Sequence, residues 1–449
     1  MPDSTPANSS SEESSPPATD VAQLLLPSQQ TRNVLVFAAC TGLQYLAAPV
    51  LYVGMTQGSL LNNLGASPLV ANLPETAFFI LTATPVFLAW WLPGVKYLKR
   101  SLIACYLASA GAMAVAAAAL LTDASPALRV AAIILQGAVI GASMPTAIAL
   151  LWEAIGRGVE EKRRGFALGL AFGAGPLLAV AGSLGSQWLL TGELWGFQLD
   201  VGEFPLNYVW LFVAGIPVML LAAILAGQLH VVADPTEPPR MPLLKGAIEF
   251  LANPVLRYAT LVTILLYVGN TITANMNLYT EQVLDADPSS LTGYQNAIRF
   301  SFKVGAGTLL GWLLTQSTPR AGILVTGLLF VLSQVWAIFA TGYPYLLAFG
   351  IFGAGELVGV YAPNYILSAS QPRDFRRNMA YVTMMMAPAA PAGALFGWMA
   401  GVLGQEYGAA AGFRLSFALC AVILLAGLGL ALGALPARPK PLADQPPPV

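Results

Sequence analysis

The sequence predicts an all-α integral membrane protein, with twelve transmembrane helices in two pseudo-symmetric six-helix bundles. Three observations predict it. Apolar residues make up 56% of the 449-residue chain and charged residues only 10%, whereas a soluble domain carries about 25% charge to cover its surface. Twelve apolar runs are each long enough to cross a hydrocarbon core, which takes roughly 20 residues. Basic residues alternate between the connections in the way that sets a membrane topology.

The runs lie near 33–57, 69–92, 101–122, 128–152, 165–190, 207–229, 257–281, 289–314, 321–341, 344–368, 379–404 and 413–435. An even count puts both ends of the chain on one side. That side also receives the connections after runs two, four, six, eight and ten. Its basic residues are Arg32, Lys96, Lys99, Arg100, Arg157, Lys162, Arg163, Arg164, Arg240, Lys245, Arg257, Arg320, Arg373, Arg376, Arg377, Arg438 and Lys440, or 17 of the 21. The opposite side has Arg129 and Arg414 against Asp123, Glu193, Asp200, Glu203, Glu281, Asp285, Asp287 and Glu406. Adding or losing one run would scramble this split. Both termini are therefore expected in the cytoplasm, and the chain in the plasma membrane (the inner membrane of a Gram-negative cell) as a multi-pass protein.

Residues 1–31 are rich in Ser, Pro, Asp and Glu, with no positive start and no long apolar stretch. They read as a disordered cytoplasmic tail and not as a signal peptide. The Pro-rich residues 436–449 read the same way. Between the tails, residues 32–229 form an expected N-terminal six-helix bundle and residues 257–435 a C-terminal one. The connection 230–256 separates them as a cytoplasmic central loop, with Asp234, Pro235, Pro238, Pro239, Pro242 and a short amphipathic stretch from Leu243 to Leu251. The halves look distantly repeated. Run two ends in Ala89-Trp90-Trp91-Leu92 and run eight in Gly311-Trp312-Leu313-Leu314. Run four leads into Glu161-Lys162-Arg163-Arg164-Gly165, and run ten into Asp374-Phe375-Arg376-Arg377-Asn378.

Twelve spans split six and six, cytoplasmic tails and a long central loop together resemble the major facilitator superfamily. Lys162-Arg163-Arg164-Gly165, followed by Ala167 and Gly169, is similar to the basic Arg-Gly start of that family's fifth helix. Gly173, Gly175 and Pro176 are similar to its Gly-Pro element, although of the second glycine pair only Gly182 remains. The loop after run two, Pro93 to Arg100, keeps the family's basic residues but has no Asp, and the matching loop Thr315 to Arg320 lacks it too. The resemblance implies a secondary-active transporter with a central cavity that opens alternately to each side.

Charge inside hydrocarbon costs several kcal/mol, so each instance is a candidate functional residue. Arg299 and Lys303 lie deep in run eight, four residues apart and thus on one helix face. Thr292, Gln295 and Asn296 extend this polar stripe, which cannot face lipid. Glu356 lies at comparable depth in run ten, and Glu75 follows Pro74 in the outer part of run two. In one reading Arg299 and Lys303 bind a polar or anionic solute while Glu356 balances the charge and takes a proton, because a carboxylate whose arginine partner comes and goes changes its proton affinity. In the other, Arg299 and Glu356 form a static ion pair that joins two helices. Gln44 and Tyr45 in run one, and Asn270 and Asn277 in run seven, are further candidates. By analogy with the resembled fold, those helices line the cavity. Interhelical hydrogen bonding is the alternative for each. Pro85, Pro145, Pro176, Pro363, Pro388 and Pro391 interrupt helices, which must therefore bend where protein or a cavity covers them.

Other classes of function lose ground. Cys40, Cys105 and Cys420 lie far apart in apolar runs, and His230 is the one histidine. This removes metal spacing and most histidine catalysis. No Gly-Lys-Ser/Thr phosphate loop is present, so an ion or solute gradient must supply the energy. A net charge of −1 gives no reason to expect nucleic acid. The expected function is secondary-active, proton-linked transport (symport) of a small polar or anionic solute by a monomer, with solute, protons and the lipid bilayer as partners. No cofactor and no enzymatic activity are expected. The alternatives are a membrane sensor or scaffold that has kept a transporter fold, and a membrane-embedded enzyme.

Overall fold

The computed structural model describes residues 24–92, 95–232, 243–314, 317–370 and 375–439. Most of the N-terminal tail, the centre of the central loop and the last ten residues of the chain lie outside them. So do Pro93, Gly94, Thr315, Arg373 and Asp374.

Helices stand at the place of every apolar run. They are α1 (Pro27–Leu46), α2 (Pro68–Trp91), α3 (Leu98–Leu121), α4 (Pro126–Gly158), α5 (Glu161–Thr191) and α6 (Leu206–Ala226). Then follow α7 (Pro254–Leu278), α8 (Thr292–Leu314), α9 (Pro319–Phe339), α10 (Tyr343–Ser368), α11 (Tyr381–Tyr407) and α12 (Ala409–Ala434). Ten of these are long and apolar enough to cross a membrane. The other two are α1, which opens on Gln29, Gln30, Arg32 and Asn33, and α8, which carries the charged stripe.

Local signals explain many boundaries. Ser67, Ser125 and Asn253 each precede a proline and accept a hydrogen bond from a first-turn backbone N–H, which starts α2, α4 and α7 where orphan donors need partners. Helix α1 begins at Pro27, inside the stretch read as tail, because Gln29 accepts from the Leu26 N–H at 3.0 Å and Pro27 fits the first helical position. The first run is also not one helix. It stops at Leu46, continues as a short turn Ala48–Leu51 and restarts as a helix at Met55–Asn63. In the central loop, the amphipathic stretch forms the helix Leu243–Ala252. A two-stranded hairpin, Glu193–Leu194 against Phe197–Gln198, links α5 to α6.

The two groups of six pack in the same pattern. Helix α3 packs on α6 and α4, and α9 packs likewise on α12 and α10. Helix α2 lies on α4 as α8 lies on α10. Between the groups α5 packs on α8 and α11 packs on α2, which is the exchange expected of a two-fold relation between the bundles. The side carrying the termini is stapled within the first bundle by Asn33. Its amide donates to the carbonyls of Gly158 (2.9 Å) and His230 (2.8 Å) and accepts from the His230 N–H (2.8 Å). Nearby, the Lys162 ammonium at 2.8 Å and the Gln30 amide hold the Glu160 carboxyl below its usual range.

Candidate solute site between the two bundles

Helices α8 and α10 meet because α10 is built from small residues where they cross. A Cβ on Gly353 would stand 2.1 Å from the Arg299 carbonyl oxygen, and one on Gly350 would stand 2.7 Å from the Phe302 ring. Only glycine lets the backbones come this close. Less than one turn beyond Gly353, Glu356 faces Arg299. The guanidinium donates to both carboxylate oxygens, from Nε at 2.8 Å and from Nη2 at 2.5 Å. The Lys303 ammonium stands 3.7 Å from the same carboxylate, too far for a hydrogen bond. All three side chains are largely buried, at 7%, 8% and 15% exposure for Arg299, Glu356 and Lys303. Aromatic rings surround them. The Arg299 guanidinium is 5.3 Å from the Phe352 ring, 5.6 Å from Phe300 and 5.9 Å from Tyr52, and Lys303 is 6.0 Å from Tyr52.

Tyr52 reaches this cluster from the opposite bundle because α1 breaks. Gly54 adopts φ +152°, which side-chain-bearing residues rarely adopt, and a Cβ there would stand 2.5 Å from the Thr273 hydroxyl. The carbonyls freed by the break are satisfied. Val50 accepts from Gln57 (3.2 Å) and Gln136 (3.0 Å), and Pro49 accepts from Thr56 (2.6 Å). The same opening admits Glu75 of α2, which is 1% exposed. Its carboxyl accepts from the Thr273 hydroxyl and, at 3.4 Å, from the Ala274 N–H, both in α7 of the other bundle. No cation lies within ion-pair distance of Glu75 among the described residues, although Arg299 and Glu356 are within electrostatic range.

The sequence-predicted residues divide. Arg299, Lys303 and Glu356 come together, and Tyr45 joins them indirectly by stacking on Tyr52 at 6.3 Å between centroids. Gln44 does not reach the charges; it borders the cleft beside α1 and donates to the Tyr106 hydroxyl at 2.7 Å. Asn277 donates to Gln295 (2.7 Å) and Thr292 (2.9 Å), and Gln295 donates to Thr280 (2.7 Å). This network lies beyond the charges, on the side away from the termini. Asn296 and Asn270 are buried without joining either group. Tyr52, Thr273, Phe300 and Phe352 are neighbours of the charges that sequence reasoning missed. The signal for Tyr52 is its position between Pro49 and Gly54, which marks a helix break.

Contacts between the bundles gather on the side away from the termini. Gln187 of α5 donates to the Ser290 carbonyl at 2.6 Å and accepts from the Tyr294 N–H. A Cβ on Gly293 would meet the Gln187 backbone. Asn72 donates to Asn275 at 2.7 Å, and Asn63 to Asp287 at 3.2 Å. Toward the terminal side, Gly165, Gly169 and Gly173 of α5, and Gly305, Gly307 and Gly311 of α8, have open space where a side chain would project. On that side a cleft framed by α1, α4 and α5 runs from Phe37 and Trp152 to Tyr45 and Tyr52. Two buried cations of α8 thus share one carboxylate of α10, and the ring of Tyr52 from the first bundle lies against them and also lines the aromatic cleft.

Comparison with known proteins gives this geometry a context. The sequence model of the Major Facilitator Superfamily matches residues 37–314. No curated protein matches the sequence. The crystal structure of a D-xylose-proton symporter is similar with a TM-score of 0.67 at 14% identity, over 90% of this chain and 98% of that one. The nucleoside transporter NupG is similar with a TM-score of 0.67 at 11% identity, over 90% of this chain and 100% of that one. A bacterial homologue of the lysosomal transporter Spinster, in an inward-facing conformation, gives a TM-score of 0.61 at 15% identity, over 91% and 98%. At such identities the likeness speaks for the fold.

Proposed function

The chain belongs to the Major Facilitator Superfamily, and from that premise we propose that it carries a small anionic solute across the membrane by alternating access, coupled to protons. It is a multi-pass membrane transporter and not an enzyme. One observation carries the choice of an anion: Arg299 and Lys303 are buried together against a single carboxylate, Glu356. A buried charge without a close partner is costly; Glu75 lies beyond ion-pair distance and Arg299 holds Glu356 at both oxygens, so Lys303 favours an anionic ligand. The solute's charge would displace Glu356 from Arg299 and settle between Arg299 and Lys303. Glu356, freed from its partner, then takes a proton.

Glu75 supports the coupling from a second position. Its carboxyl bridges the bundles through neutral donors alone, so a proton added there weakens a contact that must part when the outer side opens. The distribution of basic residues supports termini in the cytoplasm, so the structure corresponds to a state closed outward and open inward. We propose the plasma or inner membrane as its location and a single chain as the working unit.

The bidentate geometry of Arg299 and Glu356 favours a second reading, a static pair that holds α8 to α10. Charge-removing variants separate the two. Glu356→Gln strands both buried cations and should destabilise by about 3–5 kcal/mol in thermal unfolding, whereas Arg299→Gln leaves Glu356 beside Lys303 and should cost less. The triple variant that combines both with Lys303→Gln has none of the three charges left and should recover most of the stability. Uptake per folded molecule in proteoliposomes should remain lost in the triple variant. Recovery of uptake along with stability would show the pair to be structural.

A further inference from the structure

We propose that the solute is an amphipathic organic anion whose apolar or aromatic body lies in the cleft of α1, α4 and α5 while its charge meets Lys303 and Arg299; this deepens the functional reading above and rests on it. Three observations carry it. First, Tyr52 belongs to both places: its ring lines the cleft and stands 5.9 Å from the Arg299 guanidinium and 6.0 Å from the Lys303 ammonium. Tyr52 therefore stands between the cleft and the charges, and a ligand of modest length that passes its ring would span both.

Second, the cleft wall is aromatic. Trp152 stacks on Phe172 at 5.7 Å, and Phe37 meets both edge-on at 6.3 Å. Ile148 and Leu151 complete the apolar surface. Trp152 is 45% exposed and Phe172 39%, whereas Phe37 beneath them is 1% exposed. Apolar rings left uncovered on a buried base suit a flat apolar group, which they would hold by stacking and by burial. Third, among the described residues none that lines the cleft is charged; its polar groups are those of Thr41, Gln44, Tyr45 and Tyr52. A second charge on the body would find no partner there, so polyanions and zwitterions with a distant ammonium are disfavoured. Lys303 supplies the unsatisfied end. Among the described residues its ammonium has one ion-pair partner, the Glu356 carboxylate at 3.7 Å, which Arg299 already holds at both oxygens.

The test uses the purified full-length chain in detergent, titrated with acetate, benzoate, 2-naphthoate and neutral 2-naphthamide. Binding is followed by calorimetry. Affinity should rise from acetate to 2-naphthoate by at least about tenfold, the factor that about 1.4 kcal/mol of added burial supplies. Trp152→Ala and the milder Trp152→Leu should remove most of that gain and leave acetate unchanged. Lys303→Gln should weaken the three anions by a common factor. Unfolding temperatures without ligand identify any variant that has lost its fold, and the Leu variant then carries the comparison. Equal affinity for acetate and 2-naphthoate, or a gain untouched by either Trp152 variant, overturns the cleft assignment and leaves the anion site standing. Equal affinity for 2-naphthamide and 2-naphthoate overturns the anion reading on which the assignment rests. Failure of all four ligands to bind overturns both.

Discussion

Gly353 shows how much one absent side chain can decide. It places the Arg299 carbonyl where a Cβ would stand at 2.1 Å, and so allows Glu356 to reach the guanidinium. Gly353→Ala must push α10 from α8, and overpacking of this kind costs about 1–3 kcal/mol. The unfolding temperature should fall, and anion binding should tighten because Glu356 no longer competes with the solute for Arg299 and Lys303. Calorimetric binding beside thermal unfolding checks both. Arg299, Lys303 and Glu356 were legible in the sequence because charge is rare in apolar runs and each instance stands out. Tyr52 was not legible as their neighbour. It looks like one more aromatic in an apolar run, and only the break at Gly54, fixed by Thr273 and Glu75 from other helices, turns it toward them. Asn277 and Gln295 looked alike by depth and polarity to the charged residues, but their amide N–H groups are spent on Gln295, Thr292 and Thr280. Polarity at depth alone does not say whether a side chain binds solute or a neighbour.

At the scale of elements, most helices were legible because their length and apolarity are dictated by the bilayer. The two least apolar, α1 and α8, are those that build the candidate site. Helix α8 trades apolarity for charge, and α1 trades continuity for a turn that carries Tyr52. The opposite end of α1 is held firmly. Asn33 is fully buried and ties α1 to the end of α4 and to the segment after α6 with three hydrogen bonds. Asn33→Ala would leave the Gly158 and His230 carbonyls and the His230 N–H without this partner. Such buried orphans cost about 1–3 kcal/mol each. Thermal unfolding should show a clear loss of stability, while the affinity for anions in the remaining folded protein should stay near that of the wild type. The family's Arg-Gly start of α5 has a local role here as well, since Arg164 donates to the Val159 and Gly156 carbonyls at 2.8 Å and so caps α4.

For the whole molecule, the bundles are joined mainly on the side away from the termini, through Gln187 with Ser290, Asn72 with Asn275 and Glu75 with Thr273. Alternating access requires these contacts to part and new ones to form on the terminal side. Glu75 is the buried titratable group among the contacts between the bundles, whereas Asp287, held by Asn63, is exposed. An inward proton gradient should therefore speed anion uptake into proteoliposomes, and Glu75→Gln, a permanent mimic of the protonated carboxyl, should remove that acceleration without abolishing downhill exchange. A response to the gradient that survives Glu75→Gln would assign coupling to Glu356 alone. The two-fold packing of α5 on α8 and of α11 on α2 was foreshadowed by the repeated sequence motifs. Which end of the bundle is sealed was not, because it depends on inter-bundle contacts such as Gly293 against Gln187 that carry no pattern along the chain. The central claim is that the excess cation between the bundles receives the solute. The most direct measurement is the KM for uptake of a radiolabelled organic anion, with benzoate as first probe, by wild type and Lys303→Gln at matched amounts of folded protein. The account predicts a KM raised about tenfold or more, the loss of one charge-assisted contact, with an unfolding temperature near that of the wild type. An unchanged KM would contradict it.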